Sequence, residues 1–227
     1  MKVVLKIGGS LLYNPNGELN TELIENYLKV INRLIDKAYQ ILIVVGGGKL
    51  ARKIIKVSRK IGGNFTYQDL LGVEASRMHA LLFISALKNH AYGAVPRSFD
   101  EALKALSTNK IVVSGGLQPG QSTNAVSALL AELWEADIVI NLSDVEKVYD
   151  KDPDKYSDAK AFDKLTMDEF YSIIIKQEEE PGNYALFDKV GCEILKRSKK
   201  KIAFVNGRNP ENILKVLNNE QVGTIVE

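Results

Sequence analysis

Lys6 stands inside an otherwise apolar run, Val3-Val4-Leu5-Lys6-Ile7, two residues ahead of Gly8-Gly9-Ser10. An ammonium group in such a run costs desolvation unless an anion meets it or the side chain snorkels to water from an edge strand. The glycine pair just beyond it favours the anion. Glycine lets main chain approach a ligand closely, and N–H groups at such a turn can point at anionic oxygens, above all where a helix starts next. The arrangement recurs twice. Ile41-Leu42-Ile43-Val44-Val45 stops at Gly46-Gly47-Gly48, and Ile111-Val112-Val113-Ser114 stops at Gly115-Gly116. One such junction is commonly only a tight turn. Three in one chain predict that several strands of one sheet end at a common phosphate-rich site.

The residues that follow each junction add chemistry. Arg52 falls on the first turn of a helix after Gly46-Gly47-Gly48, where a guanidinium can grip phosphate with two N–H groups or simply stand in solvent. Asp69, in Asp69-Leu70-Leu71-Gly72, reads as a helix start; its carboxylate is an N-cap or an acceptor for a ribose hydroxyl, and pattern alone favours the cap. Gly120-Gln121-Ser122-Thr123-Asn124 is a polar helix start whose hydroxyls cap the helix or hold a second ligand. After the run Ile138-Val139-Ile140 come Asn141-Leu142-Ser143-Asp144 and then Tyr149-Asp150-Lys151-Asp152-Pro153. Carboxylates at the carboxyl end of a strand lie where α/β sheets bind ligands, although an exposed acidic loop would look the same. No segment is a P-loop, because Lys49 is followed by Leu50 and the glycine spacing is wrong, and no strand-linked dinucleotide fingerprint is present. A phosphate cradle here must therefore be assembled from several loops. His79 and His90 have no paired nucleophile or base nearby in sequence and read as structural.

The elements that must position these residues alternate along the chain. Strands are expected at 2–7, 40–45, 110–114, 137–141, 201–205 and 223–226. Helices are expected at 21–37 with Thr21 as N-cap, 49–61, 69–89, 99–107, 122–135, 166–176, 185–198, and 209–217 with Asn209 as cap and Pro210 at its first position. This rhythm predicts an α/β fold, a three-layer α/β/α sandwich with a largely parallel central sheet, in a single domain over 1–227. Residues 150–163 are turn-rich, with Asp152-Pro153-Asp154 as a turn signal.

Composition excludes several function classes. Net charge is only +2 over 227 residues, so nothing global points to nucleic acid. The single cysteine, Cys192, rules out an intramolecular disulfide and a cysteine-ligated zinc cluster, and reads as a small core residue. The N-terminus is too short in apolar length for a signal peptide, and no run approaches the roughly 18 apolar residues of a membrane helix, so a cytoplasmic protein is expected. Lys196–Lys201 and Glu178–Glu180 read as solvated surface.

In order, Lys6-Ile-Gly-Gly-Ser10, Gly46-Gly-Gly-Lys-Leu-Ala-Arg52, Asp69-Leu-Leu-Gly72 with Ala75-Ser76-Arg77, Gly115-Gly116 through Thr123, Asp144, Val148-Tyr149, Lys151-Asp152-Pro153 and Gly223-Thr-Ile-Val resemble the amino acid kinase family and, within it, the archaeal uridylate kinases. The resemblance covers essentially the whole chain. It departs from the usual family residues at Asn124, Ser143, Glu146 and His79. It implies phosphoryl transfer from Mg·ATP to UMP, with Mg²⁺ carried mainly on the ATP phosphates rather than by a protein site. Lys6, Arg52 and Asp144 would be the catalytic residues. Lys6, Gly8, Gly9, Ser10, Gly48 and Arg52 would face the ATP phosphates, and Asn141, Tyr149 and Asp152 the ATP nucleoside. Gly47, Asp69, Leu117, Gln118, Pro119, Gly120, Gln121, Ser122 and Thr123 would hold UMP. The acceptor side would fall mainly in 1–135 and the ATP side in 136–227. A homohexamer that binds neither nucleic acid nor membrane is also implied. Other family activities, such as isopentenyl phosphate or carbamate kinase, and a non-catalytic nucleotide-binding oligomer are the alternatives. The residues Gly46-Gly-Gly-Lys-Leu-Ala-Arg52 lack the histidine of isopentenyl phosphate kinases. If Lys6 stabilises a transferring phosphoryl group, Lys6→Ala lowers kcat by at least about 10²–10³ while the circular dichroism spectrum stays unchanged; near-normal turnover removes Lys6 from the mechanism.

Overall fold

A computed structural model describes residues 1–153, 155–179 and 186–227, with backbone alone at 177–179. Of the Glu178–Glu180 run, the first two residues end a helix and residue 180 lies outside the described residues, as does Asp154 of the expected turn. The strands are β1 (Lys2–Ile7), β2 (Gln40–Val45), β3 (Val112–Ser114), β4 (Ile138–Ser143), β5 (Val148–Tyr149), β6 (Ala161–Phe162), β7 (Lys164–Leu165), β8 (Lys201–Asn206) and β9 (Thr224–Val226). The helices are α1 (Thr21–Asp36), α2 (Gly48–Lys60), α3 (Phe65–Leu87), α4 (Phe99–Leu106), α5 (Thr123–Leu133), α6 (Met167–Glu179), α7 (Lys189–Ser198) and α8 (Asn212–Leu217).

One seven-stranded sheet runs in the order β3-β2-β1-β4-β8-β9-β7. Strands β3, β2, β1, β4 and β8 are mutually parallel; β9 enters antiparallel to β8, and β7 pairs parallel to β9. The near-continuous apolar character of β1, β2 and β4 follows from burial on both faces. Because side chains alternate along a strand, Val3, Leu5 and Ile7 pack into a layer with α1, α3 and α8, whereas Val4 faces the layer of α4, α5, α6 and α7. The expected three-layer α/β/α architecture is therefore present. Lys6 shares the parity of Val4, so its ammonium enters the α5/α7 side.

Helix starts follow side-chain caps rather than the first apolar residue. Asn20, not Thr21, caps α1 through the Leu23 N–H. Asn64 caps α3 through the Tyr67 N–H, so that helix begins at Phe65 and Asp69 lies within it rather than at its start. The break before it is made by Gly62, at φ +87°, and Gly63. Asp188 caps α7, which begins at Lys189. Asn209 and Pro210 do not open α8: they form a preceding turn whose carbonyls accept from Asn212 and Ile213. The turn-rich stretch after β4 holds the two-stranded hairpin β5–β6, tied to β9 where Thr224 Oγ1 accepts the Val148 N–H at 2.9 Å.

The helical stretch Phe65–His90 is long and apolar enough, by length and composition, to cross a membrane, with a mean hydropathy of 1.4 over its most apolar stretch. It is not an unbroken apolar run, since Gln68, Asp69, Glu74, Arg77 and His79 interrupt it. The hydropathy arises because α3 is apolar on two sides. One side, including Phe83, Ile84 and Leu87, is buried in the core, and the other shows Met78 and Leu81 to solvent.

The first two glycine junctions meet backbone against backbone. A Cβ at Gly9 would sit 2.1 Å from the Gly46 carbonyl oxygen, and one at Gly48 would sit 2.2 Å from the Gly9 carbonyl. Gly48 also adopts φ +54°, a left-handed conformation that suits glycine. Gly9→Ala therefore forces the turns apart; urea denaturation is expected to show a loss of about 1–3 kcal/mol or more, and wild-type stability in that variant would show that the contact is not made.

Candidate active site

All five parallel strands deliver their carboxyl ends to one edge of the sheet. Ile7 is in register with Val45 and Leu142, Val44 with Ser114, and Ser143 with Asn206. The glycine turns after β1, β2 and β3 and the Ser143-Asp144 corner after β4 are thus neighbours. Between them lie two cavities. One, of about 310 Å³, is lined by Lys6, Gly8, Gly9, Ser10, Asn124, Ser143, Asp144 and Leu186 among others. The other, of about 490 Å³, is lined by Asp69, Gly72, Ser76, Gln118, Gly120, Gln121 and Ser122 among others. Gly47, Gly48, Arg52 and Thr123 line both.

In the lysine cavity, burial lowers the Lys6 ammonium to about pKa 8, against the carboxylates of Asp188 and Asp144, which hold it up. Lys6 is 9% exposed and sits in register with Asn141 of β4. Among the described residues, both side-chain polar atoms of Asn141, Oδ1 of Asn124 and Oγ of Ser143 are buried without a hydrogen-bond partner. Orphaned polar atoms gathered beside a buried cation indicate a place for a polar ligand or ordered water. The Gly8 N–H is committed to the Leu142 carbonyl at 2.8 Å, so Gly8 contributes its small size there rather than a donor. The N–H groups of Gly9, Ser10 and Gly47 donate to no acceptor among the described residues. Arg52, on the wall between the cavities, donates to Ser10 Oγ at 2.8 Å.

The loop cavity is built from α3 and the segment after β3. Asp69 Oδ2 accepts the Gly120 N–H at 2.9 Å, so its carboxylate fixes the loop instead of capping a helix. Gln118, Gln121 and Thr123 line the cavity, whereas Leu117 is buried among core side chains and Pro119 is not part of the lining. Ser122 caps α5 and also donates to Asp188 Oδ2 at 2.6 Å. Asp188 therefore joins the two sides: it caps α7, holds the loop hydroxyl and faces Lys6. Sequence reasoning missed it. Its signal was an N-cap aspartate, Asp188-Lys189-Val190-Gly191, in a region with no glycine junction.

Tyr149, at the end of β5, and Asp152, largely buried in the following turn, line neither cavity. His79 is structural, as expected, and its task is now specific. Its Nδ1 lies 2.8 Å from the Gly46 carbonyl and its Nε2 lies 2.8 Å from the Tyr13 hydroxyl, while burial holds the ring toward its neutral form. A neutral ring that donates from Nδ1 to the carbonyl accepts at Nε2 from Tyr13. Cys192 is fully buried on α7. Glu146 accepts from Asn206 Nδ2 at 2.5 Å and so fastens the corner after β4 to the end of β8.

The arrangement offers two adjacent cavities, with a buried lysine in one and an arginine on the shared wall. It can transfer an anionic group between them by positioning and charge neutralisation, without a nucleophilic side chain. Among the described residues no cluster of three or more His, Cys, Asp or Glu gathers around a metal-sized space. A magnesium ion borne on a polyphosphate ligand fits this donor set, because the cavity already supplies orphaned neutral oxygens and the Asp144 carboxylate.

Because Lys6 must be charged to hold an anion, the affinity of the free protein for pyrophosphate is expected to fall as pH rises through about 8. Asp188→Asn removes a charge that keeps the proton on, so the midpoint moves to lower pH. Calorimetric titration between about pH 6 and 10 measures both; a flat profile, or a midpoint unmoved by Asp188→Asn, contradicts this electrostatic assignment.

Comparison with known proteins identifies the family and the fold. A sequence profile described as the amino acid kinase family matches residues 1–206. The chain is 42% identical to the uridylate kinase of Methanobrevibacter smithii, over all of this chain and 99% of that one. It is 39% identical to the uridylate kinase of Methanocaldococcus jannaschii over the full length of both. Among solved structures, the uridylate kinase of Archaeoglobus fulgidus superposes with a TM-score of 0.87 at 38% identity, covering both chains completely. The UMP kinase of Bacillus anthracis, at 20% identity and a TM-score of 0.81 over all of this chain and 95% of that one, shares the fold. On this full-length likeness, the chain belongs to the amino acid kinase family.

Proposed function

We propose that this protein transfers the γ-phosphoryl group of Mg·ATP to UMP, giving UDP and ADP for pyrimidine nucleotide biosynthesis. The observation that carries this reading is the pair of cavities sharing Gly47, Gly48, Arg52 and Thr123, with Lys6 buried on one side only. The lysine cavity takes the ATP phosphates and the loop cavity takes UMP. An oxygen of the UMP phosphate forms a bond to the γ-phosphorus as the bond to the bridging oxygen of ADP breaks. The attacking oxygen is already anionic, so no general base is required.

Lys6 and the N–H groups of Gly9 and Ser10 meet charge on the transferring group, with Gly8 and Gly48 close to the phosphates. Arg52 spans both phosphate groups and Gly47 faces UMP. Asp144 and Asp188 orient Lys6 and keep it protonated. Asp144 and Ser143 line the same cavity and would face a magnesium ion borne on the ATP phosphates, which would add charge neutralisation there. Asp69 and the Leu117–Thr123 segment enclose the UMP nucleoside: Gln118, Gly120, Gln121 and Ser122 form the lining, and Leu117 and Pro119 shape the turn. Asn141 lies beneath the ATP phosphates. The ATP nucleoside extends from the Asp144 corner toward the β5–β6 hairpin, near Tyr149 and Asp152.

The acceptor side draws on residues 47–123, while the ATP side also uses the first strand, so the two halves act as one unit. We read the protein as a cytoplasmic homohexamer that binds neither nucleic acid nor membrane. The exposed apolar side chains Val57, Ile61, Phe65, Tyr67, Met78 and Leu81 on α2, α3 and the turn between them support burial against other copies. Coupled measurement of ADP release with UMP, CMP, isopentenyl phosphate and carbamate tests the substrate. UMP is expected to exceed each other acceptor by at least about tenfold in kcat/KM; preference for a non-nucleotide acceptor would overturn the assignment.

A further inference from the structure

The loop that encloses the second ligand has no regular structure between Gly115 and Ser122, yet its backbone polar groups are held at several points by one helix. Ser76 Oγ accepts the Gly116 N–H at 2.7 Å and donates to the Val73 carbonyl at 2.6 Å. Arg77 is 9% exposed, and four of its N–H directions are committed. Nε donates to the Gly116 carbonyl at 3.1 Å, and one terminal nitrogen donates both to the Leu117 carbonyl at 2.9 Å and to the Arg97 carbonyl at 3.0 Å. The other terminal nitrogen pairs with Glu74 at 2.6 Å. A buried guanidinium normally has carboxylate partners; here three of its four acceptors are main-chain carbonyls from two separate segments. The approach is close enough that a Cβ at Gly115 would sit 2.7 Å from the Arg77 backbone nitrogen.

We propose that Arg77 is a positioning residue for the acceptor: it clamps the Gly116 and Leu117 carbonyls so that Gln118, Gly120 and Gln121 stand at the cavity wall. This rests on the reading of that cavity as the UMP site. Arg77 is not among the residues lining either cavity, so it acts through the loop. Lysine cannot replace it. A single ammonium reaches the Glu74 carboxylate but cannot serve carbonyls in three directions with a rigid fork. Glu74 meets Arg77 from the solvent side and touches neither loop carbonyl; its Oε1 also lies 3.3 Å from Arg97 Nη1. Because the Arg77 bonds fall on the loop cavity alone, their loss should separate the two substrates kinetically.

The test compares Arg77→Lys and Glu74→Gln with the unaltered protein. Amide hydrogen exchange over 115–122 is measured without ligand, and steady-state kinetics are measured with both substrates. Arg77→Lys is expected to speed exchange in the loop and raise KM for UMP by about tenfold, with KM for ATP changed by less than about twofold. Glu74→Gln retains an acceptor oxygen for Arg77 Nη1 and leaves the loop carbonyls bound, so both constants are expected to stay within about twofold. The proposal falls if Arg77→Lys leaves loop exchange unchanged, if both KM values rise together, or if Glu74→Gln matches Arg77→Lys. Failure of the unaltered protein to phosphorylate UMP would instead sink the substrate assignment, and loop exchange with the acceptor that is used would then decide the clamp.

Discussion

Everything at the site depends on two stretches of main chain touching where no side chain can fit. The turn after β1 and the turn after β2 approach so closely that a methyl group at Gly9 or Gly48 would occupy the other backbone. This contact lets one short wall serve two cavities, because a bulkier residue at either turn would push the lysine cavity and the loop cavity apart. Strand alternation does the rest. With the turns fixed, the parity of β1 sends Lys6 toward α5 and α7, where Asp188 and the start of α5 wait for it. His79 braces the Gly46 carbonyl from the opposite layer, so the second turn is held from both sides of the sheet.

The electrostatics of the site are deliberately incomplete. Lys6 is buried deeply enough to lose part of its hold on its proton, and it is compensated by carboxylates rather than by a close one-to-one ion pair. Beside it, Asn124, Asn141 and Ser143 keep buried polar atoms without partners among the described residues. Such a pocket is costly in the free protein and is relieved by a ligand that carries many oxygens. In the loop cavity the emphasis differs, because the Gly116 and Gly120 N–H groups and the Gly116 and Leu117 carbonyls are already bound to Ser76, Asp69 and Arg77. One cavity is thus prepared to receive charge, and the other to present a shape.

The parts of this design that were legible in the sequence are those with a one-dimensional signature. A strand that ends at a glycine cluster is visible as such, and the parallel sheet follows from its repetition. Lys6 stood out because a cation is out of place in an apolar run. Less legible were contacts made across long separations. Asp188 looks like an ordinary cap, and only the proximity of α5 and α7 gives it Ser122 and Lys6 as partners. Asp69 was misplaced at a helix start because Asn64, five residues earlier, supplies the cap. Arg77 belongs to a stretch that resembles the family, but its carbonyl partners lie in a loop that no helical periodicity could bring to it. Pro210 misled for a related reason: it suits the first turn of a helix, yet also the turn that precedes one.

The central position of β1 has a consequence for how the protein is made. Val3 pairs with Ile41 on one side and Ile138 on the other, so one edge of the first strand has no partner until most of the chain has been synthesised. During that interval Val3, Val4 and Leu5 present an apolar strand edge of the kind that recruits other chains. Lys6, in the same strand, places a charge on that waiting edge and discourages such pairing. The residue that lies buried opposite two carboxylates in the finished protein thereby also interrupts the apolar edge of the nascent one.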